Sequence, residues 1–144
     1  MRLSTKGRYA VMAMADLARY EARAGRALAL AEIAQRQEIS LSYLEQLFAR
    51  LRRKELVKSA RGPGGGYRLA RSAEETSIAE IIHAVDEPLR ATRCAESHGC
   101  MTKGERCLTH DLWDDLGRHI EDYLASVTLA DVVEGRLAHD KAAA

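Results

Sequence analysis

The sequence predicts a mainly α-helical protein: a winged helix-turn-helix DNA-binding domain with a β-hairpin wing, then a long C-terminal dimerisation helix. Three observations predict it. Apolar residues recur at helical spacing along most of the chain, with Ala and Leu abundant and aromatics only 5% of residues. Two amphipathic segments meet at the tight turn Glu38–Ile39–Ser40, and the second carries polar and basic groups on its outer faces. The run "RGPGGGY" then separates two short strand-like stretches and is too rich in glycine to be helix.

Each element has its own signal. Ser4 or Thr5 can cap a first helix whose inner face is Tyr9, Ala10, Ala13, Met14, Leu17 and Ala18, and Gly25 ends it. "LAEIAQRQ" fits a short second helix with Leu30, Ile33 and Ala34 inward. "LSYLEQLFARLRRK" fits a third, with Leu44, Leu47, Phe48 and Leu51 as its apolar stripe. Val57 and Tyr67–Leu69 read as the strands of the wing. "RSAEETS" links to a helix with Ile78, Ile81, Ile82 and Val85 inward, stopped by Pro88. Thr109 can cap a long helix with acidic residues at Asp111, Asp114 and Asp115, as the helix dipole prefers. Its Leu108, Leu112, Leu116, Ile120 and Leu124 recur every fourth residue, more apolar stripe than one small domain needs, which predicts a homodimer. Thr128 starts a last short helix that Gly135 ends. The expected organisation is a DNA-binding domain over 1–76, a ligand loop with dimerisation helices over 77–135, and a disordered tail over 136–144.

Charge divides along the same line. Residues 1–71 hold 15 Lys+Arg against 6 Asp+Glu, while the remainder holds 7 against 15. A basic half joined to an acidic half fits a module that faces double-stranded DNA and a second module with another task. No stretch approaches the roughly 18 apolar residues of a membrane span. Asp16 interrupts the short apolar run near the start, which argues against a signal peptide and for a cytoplasmic protein.

A recognition helix presents its N-terminal residues to base edges in the major groove. On the third helix these are Ser42, Tyr43, Glu45 and Gln46, with Arg50 further along. Gln suits adenine and Arg suits guanine or phosphate. Glu45 repels phosphate unless a cytosine amine meets it, so it can select between operators by penalising wrong ones. In the wing, Arg61 and Arg68 flank glycines, Gly64 among them, that let backbone N–H groups approach phosphate or the minor groove. The run is not the phosphate loop of a nucleotidase, because the GK[ST] ending is missing.

All three cysteines fall in "CAESHGCMTKGERCLTH", in the pattern Cys94-x5-Cys100-x6-Cys107-x2-His110. An odd count argues against a disulfide framework. Three thiols and an imidazole suit zinc or an iron–sulfur cluster. The gaps exceed those of most structural zinc sites and fit the larger 2Fe–2S rhomb better, but zinc, cluster and redox thiol switch all stay open on this ground. His98 also lies in the loop; His110 is favoured as fourth ligand because the first turn of the long helix fixes it. Catalysis is a poor fit, since three thiols crowd one loop without a base and oxyanion site. A small electron carrier is disfavoured by the basic half and the wing.

The stretches "MRLSTKGRYAV.AM.D", "LA.IA.RQ.ISLSYLEQLF.RLR", "LV.S.RGPGGGY.L", "I..AVDE...ATRC" and "CLTH.LW.DL", with dots for positions that do not carry the likeness, resemble the IscR-type iron–sulfur cluster regulators of the Rrf-two group of bacterial winged-helix transcription factors. The resemblance spans nearly residues 1 to 130. It implies a 2Fe–2S cluster on Cys94, Cys100, Cys107 and His110, a homodimer formed through the long helix, and repression and activation of cluster-assembly genes. It also implies cluster delivery by assembly scaffold proteins. The family's discriminating glutamate matches Glu45, and its DNA-contacting positions match Ser40, Ser42, Tyr43, Gln46 and Arg61. One departure stands out: the resemblance leads one to expect five residues between the second and third cysteines, and this chain has six, with Gly104 placed to absorb the extra one. Other members of the wider group sense nitric oxide or cysteine supply.

Overall fold

A computed structural model describes residues 3–85, 101 and 103–137. The order is α1 (Thr5–Ala24), α2 (Leu30–Gln37), α3 (Leu41–Arg53), β1 (Val57–Ala60), β2 (Gly66–Leu69), a 3-10 turn over Ala73–Glu75, α4 (Ile78–Ala84), α5 (His110–Ser126) and α6 (Leu129–Glu134). No helix among the described residues is long and apolar enough to cross a membrane.

The predicted helices α1 to α3 form where the apolar spacing puts them. Gly25 ends α1 in the left-handed region, φ 65°, where its N–H returns to Glu21 O. Ala10, Ala13, Met14 and Leu17 from α1, Ile33 from α2, and Leu44, Leu47, Phe48 and Leu51 from α3 close into one buried cluster. Asp16 sits on the same face of α1 and is buried. Arg36 makes a two-pronged pair to it, at 2.9 and 2.7 Å, and Gln37 Nε2 donates to it at 2.8 Å. The Arg36 guanidinium lies 4.2 Å from the centroid of the Tyr20 ring. A buried carboxylate is tolerated when its lone pairs are satisfied this fully; here the pair pins α2 against α1.

The wing is a two-stranded antiparallel hairpin with Val57 opposite Leu69 and Ala60 opposite Gly66. A single bridge between Leu28 and Tyr67 adds a third edge: Tyr67 N–H donates to Leu28 O at 2.7 Å, and Leu28 N–H to Tyr67 O at 3.0 Å. Tyr67 stacks edge-on against Phe48 with centroids 5.0 Å apart. Gly66 is obligatory at this crossing. A Cβ there would overlap the carbonyl of Leu28 and stand 2.7 Å from Ala29 N, and its φ of 154° suits glycine alone.

Ile78, Ile81 and Ile82 of α4 and Leu129 of α6 belong to the same core as α1. The expected boundary at residue 76 therefore crosses a continuous packing, and Thr76 itself is fully buried. Ser77 and Thr128 start α4 and α6 with reciprocal caps to Glu80 and Asp131. The helix α4 ends at Ala84; Pro88, expected to stop it, lies outside the described residues. Of the expected tail, Arg136 and Leu137 are described. Arg136 N–H donates to Asp131 O at 2.8 Å, and Leu137 packs on the core. Residues 138–144 lie outside the described set.

Candidate nucleic-acid interface and metal centre

The turn before α3 places Glu38 in the left-handed region, φ 54°, so that Ser40 can start the helix. Ser40 Oγ accepts from the Tyr43 N–H at 3.4 Å and lies 3.0 Å from Ser42 Oγ. Its hydroxyl thus serves the helix end while remaining exposed. Ser42, Glu45 and Gln46 are exposed on the outer face of α3, and Tyr43 is half-buried with its ring edge-on to Tyr9, centroids 6.0 Å apart. Glu45 has no hydrogen-bond or ion-pair partner among the described residues. The helix-paired role available to a surface glutamate is not the one it fills. The concavity beside these residues is also lined by Thr5, Tyr9, Glu38 and Ile39. The sequence reading had no signal for the N-terminal turn of α1 as part of this surface; packing of Tyr9 on Tyr43 brings it there.

Two predicted contacts point elsewhere. Arg50 is half-buried and donates from Nη1 to Val85 O at 3.2 Å, tying the recognition helix to the end of α4. Arg68 of the wing turns to Glu21, 3.6 Å away, whose other oxygen accepts the Leu69 N–H at 2.9 Å. Arg61 and Gly64 stay exposed in the wing turn, and Gly64 adopts φ 74°. Arg52, Arg53, Lys54 and Lys58 are exposed between the end of α3 and the wing, which extends the positive face. An apolar body with a rim of exposed guanidinium and ammonium groups is suited to a polyanion.

Two of the four expected metal ligands fall at the head of α5. Cys107 and His110 are both half-buried and one helical turn apart, with His110 N–H donating to Cys107 O at 3.1 Å. Thr109 occupies the N-cap position without making the expected capping bond. Its Oγ1 instead accepts from Trp113 Nε1 at 3.1 Å and lies 3.7 Å from Cys107 Sγ. Of the three acids expected near the helix start, only Asp111 is in the first turn. Cys94, His98 and Cys100 lie outside the described residues, and among the described residues no three potential ligands are gathered. The donor set of the whole sequence, three thiols and an imidazole, has the softness a cluster requires, and the two described members fit it. His83, read from sequence as a bland residue, joins α4 to α5 through Glu121 at 2.7 Å.

None of the 17 residues of α5 is fully buried: Leu116, Ile120 and Leu124 are half-buried, Leu124 against the core. Leu108, Leu112 and Tyr123 are exposed, Leu108 completely. One edge of the apolar stripe is therefore exposed along the helix and its approach.

Comparison with known proteins agrees with this architecture. The Rrf2 (Rrf-two) family model, described as an iron-dependent transcriptional regulator, matches residues 3–135. The chain is 54% identical to the HTH-type transcriptional regulator IscR of Sodalis glossinidius over 133 residues, covering 92% of this chain and 79% of that protein. It is 53% identical to IscR of Pectobacterium carotovorum over 136 residues, covering 94% and 81%. Among solved structures, T. potens IscR superposes with a TM-score of 0.75 and 37% identity, covering 94% of this chain and 88% of that one. CymR, the global cysteine regulator of B. subtilis, gives 0.78 and 31%, covering 93% and 97%. With a recognition helix, an anchored wing and a match running nearly end to end, the chain belongs to the Rrf2 family of winged-helix, DNA-binding transcriptional regulators, which are not enzymes.

Proposed function

We propose that the protein regulates iron–sulfur cluster assembly genes and reads cluster status through a 2Fe–2S group held by Cys94, Cys100, Cys107 and His110. The observation that carries this reading is that one main-chain turn brings Cys107 and His110 together at the head of α5, the helix whose apolar stripe its own chain leaves partly exposed. A second copy of the chain is the partner that stripe suits, so the ligand segment and the dimer contact share one helix. When bound, the cluster supplies a redox-active link between the cysteine segment and α5. Assembly scaffold proteins of the cytoplasm are its donors.

The chain's own residues do the reading of DNA. Ser40, Ser42, Tyr43 and Gln46 face the major groove of double-stranded operator DNA, while Arg61 and the backbone around Gly64 engage the adjacent backbone or minor groove. Glu45, without a partner among the described residues, disfavours operators that do not offer it a donor. Arg50 holds α3 to the end of α4, where the chain runs on toward Cys94. Cluster occupancy must favour one arrangement of these parts over another, a coupling on the order of 1–3 kcal/mol in allosteric proteins.

The test is anaerobic reconstitution with iron and sulfide, followed by visible absorption, metal and sulfide analysis, and operator titration. About two irons and two sulfides per chain are expected. Operator affinity should fall steeply with salt. A Cys107→Ala variant should lose the visible bands. A colourless protein that retains zinc would overturn this reading in favour of a zinc-stabilised regulator. The likeness to CymR supports a second reading, in which the same fold answers to cysteine supply; cysteine-dependent operator binding by the metal-free chain would favour it.

A further inference from the structure

The hydroxyl of Thr109 has two polar neighbours on α5 and its approach, one that can only donate to it and one that can accept from it. Trp113 Nε1 lies 3.1 Å from Thr109 Oγ1. An indole nitrogen can only donate, so Thr109 accepts there. Its own O–H is left to donate elsewhere, and a deprotonated, ligating Cys107 sulfur can only accept. Cys107 Sγ lies 3.7 Å from the same oxygen, a sulfur hydrogen-bond distance. The N-cap role that would otherwise occupy Thr109 Oγ1 is absent.

We propose that Thr109 is a positioning residue that donates its hydrogen bond to the Cys107 sulfur, aimed by Trp113, and so tunes the 2Fe–2S group that this thiolate helps to hold. The inference rests on the reading of Cys107 as a ligand. A hydrogen bond to a ligating sulfur draws charge from it and favours the more negative, reduced cluster. Hydrogen bonding of that kind is one of the levers by which a protein shifts a cluster's potential. Trp113 acts one step back: without its N–H the Thr109 hydroxyl is free to rotate.

The experiment uses the full chain, reconstituted without oxygen, as wild type, Thr109→Val, Thr109→Ser and Trp113→Phe. Cluster reduction is followed by potentiometric titration of the visible bands. Thr109→Val keeps the volume and removes the O–H. Its equilibrium constant for one-electron reduction should fall about tenfold, or 59 mV for one electron. Thr109→Ser should titrate with the wild type. Trp113→Phe should move in the direction of Thr109→Val by a smaller amount, and it carries the test if Thr109→Val does not fold. Val and Phe variants that load fully and titrate with the wild type overturn the relay and leave the ligand assignment standing. A wild type that takes up no cluster, or a Cys107→Ala variant with an unaltered cluster spectrum, overturns the ligand assignment and the relay with it.

Discussion

The crossing of Gly66 over Leu28 gives the sharpest test of how the wing is held. A Gly66→Ala variant puts a methyl group into the carbonyl of Leu28, and backbone atoms cannot swing aside as a flexible side chain would. The Leu28–Tyr67 bridge must open, which removes two hydrogen bonds of 2.7 and 3.0 Å. Each contributes roughly 1 kcal/mol net. Alanine at φ 154° adds strain on the order of 1 kcal/mol or more. The loss is therefore about 3 kcal/mol, a large part of the 5–15 kcal/mol typical of a domain, and should lower Tm by ~10 °C. Urea denaturation gives the first number and differential scanning calorimetry the second. Because the bridge sets the wing against the body, operator affinity should drop in the same variant, measured at low temperature where the chain is still folded. A loss under about 0.5 kcal/mol, the range of ordinary surface changes, with operator binding intact, would show that the bridge does not hold the wing.

Three further outcomes follow from other contacts. Arg26 hydrogen-bonds Glu32, and the Ala29 N–H donates to it at 2.9 Å, which together hold the Glu32 carboxyl at about 2 instead of its ordinary 4.5. Its contribution is present above pH 4.5 and is lost as pH falls toward 2, so Glu32→Gln should flatten acid denaturation in that window; an unchanged acid limb in a urea-versus-pH series counts against it. Glu45→Ala should narrow the affinity ratio between two operator classes roughly tenfold, the scale of one base discrimination, and a competition binding assay that returns the wild-type ratio rules this out. Leu112, exposed on α5, should be central to self-association, so Leu112→Asp should weaken the dimer at least ~tenfold, or about 1.4 kcal/mol; sedimentation showing an unshifted dimer would remove α5 from the interface.

The elements were legible in the sequence because their signals are local. Gly25 and Gly135 end helices, Ser77 and Thr128 open them, and the four-residue recurrence of α5 reads directly as a stripe. What was not legible depends on residues far apart along the chain. Asp16 looked like an interruption of an apolar run until Arg36 and Gln37, twenty and twenty-one residues on, closed around it. The bridge at Leu28 involves one residue, too short to show any alternation. Arg50 and Arg68 look like DNA contacts by charge alone, and only the fold reveals that Val85 and Glu21 face them. Thr109 was legible as a cap position; its hydroxyl bond to the indole was not, because side-chain direction within a turn is set by packing.

The strand-like bond pair at the base of α4 and α6 has a consequence for how this family can vary. Ile78 N–H reaches Val127 O at 2.9 Å and Leu129 N–H reaches Thr76 O at 2.8 Å, so the start of α4 and the end of α5 are fastened together at one bridge, with residues 78–127 as the chain between its two sides. Closing a loop depends on the logarithm of its length, and one residue more in about 50 changes that entropy by only about 0.02 kcal/mol. The sixth residue between Cys100 and Cys107 thus adds almost nothing to the entropy of closing this bridge. Changes of length between α4 and α5 therefore cost this fastening little, and the recognition helix and wing need not change with them.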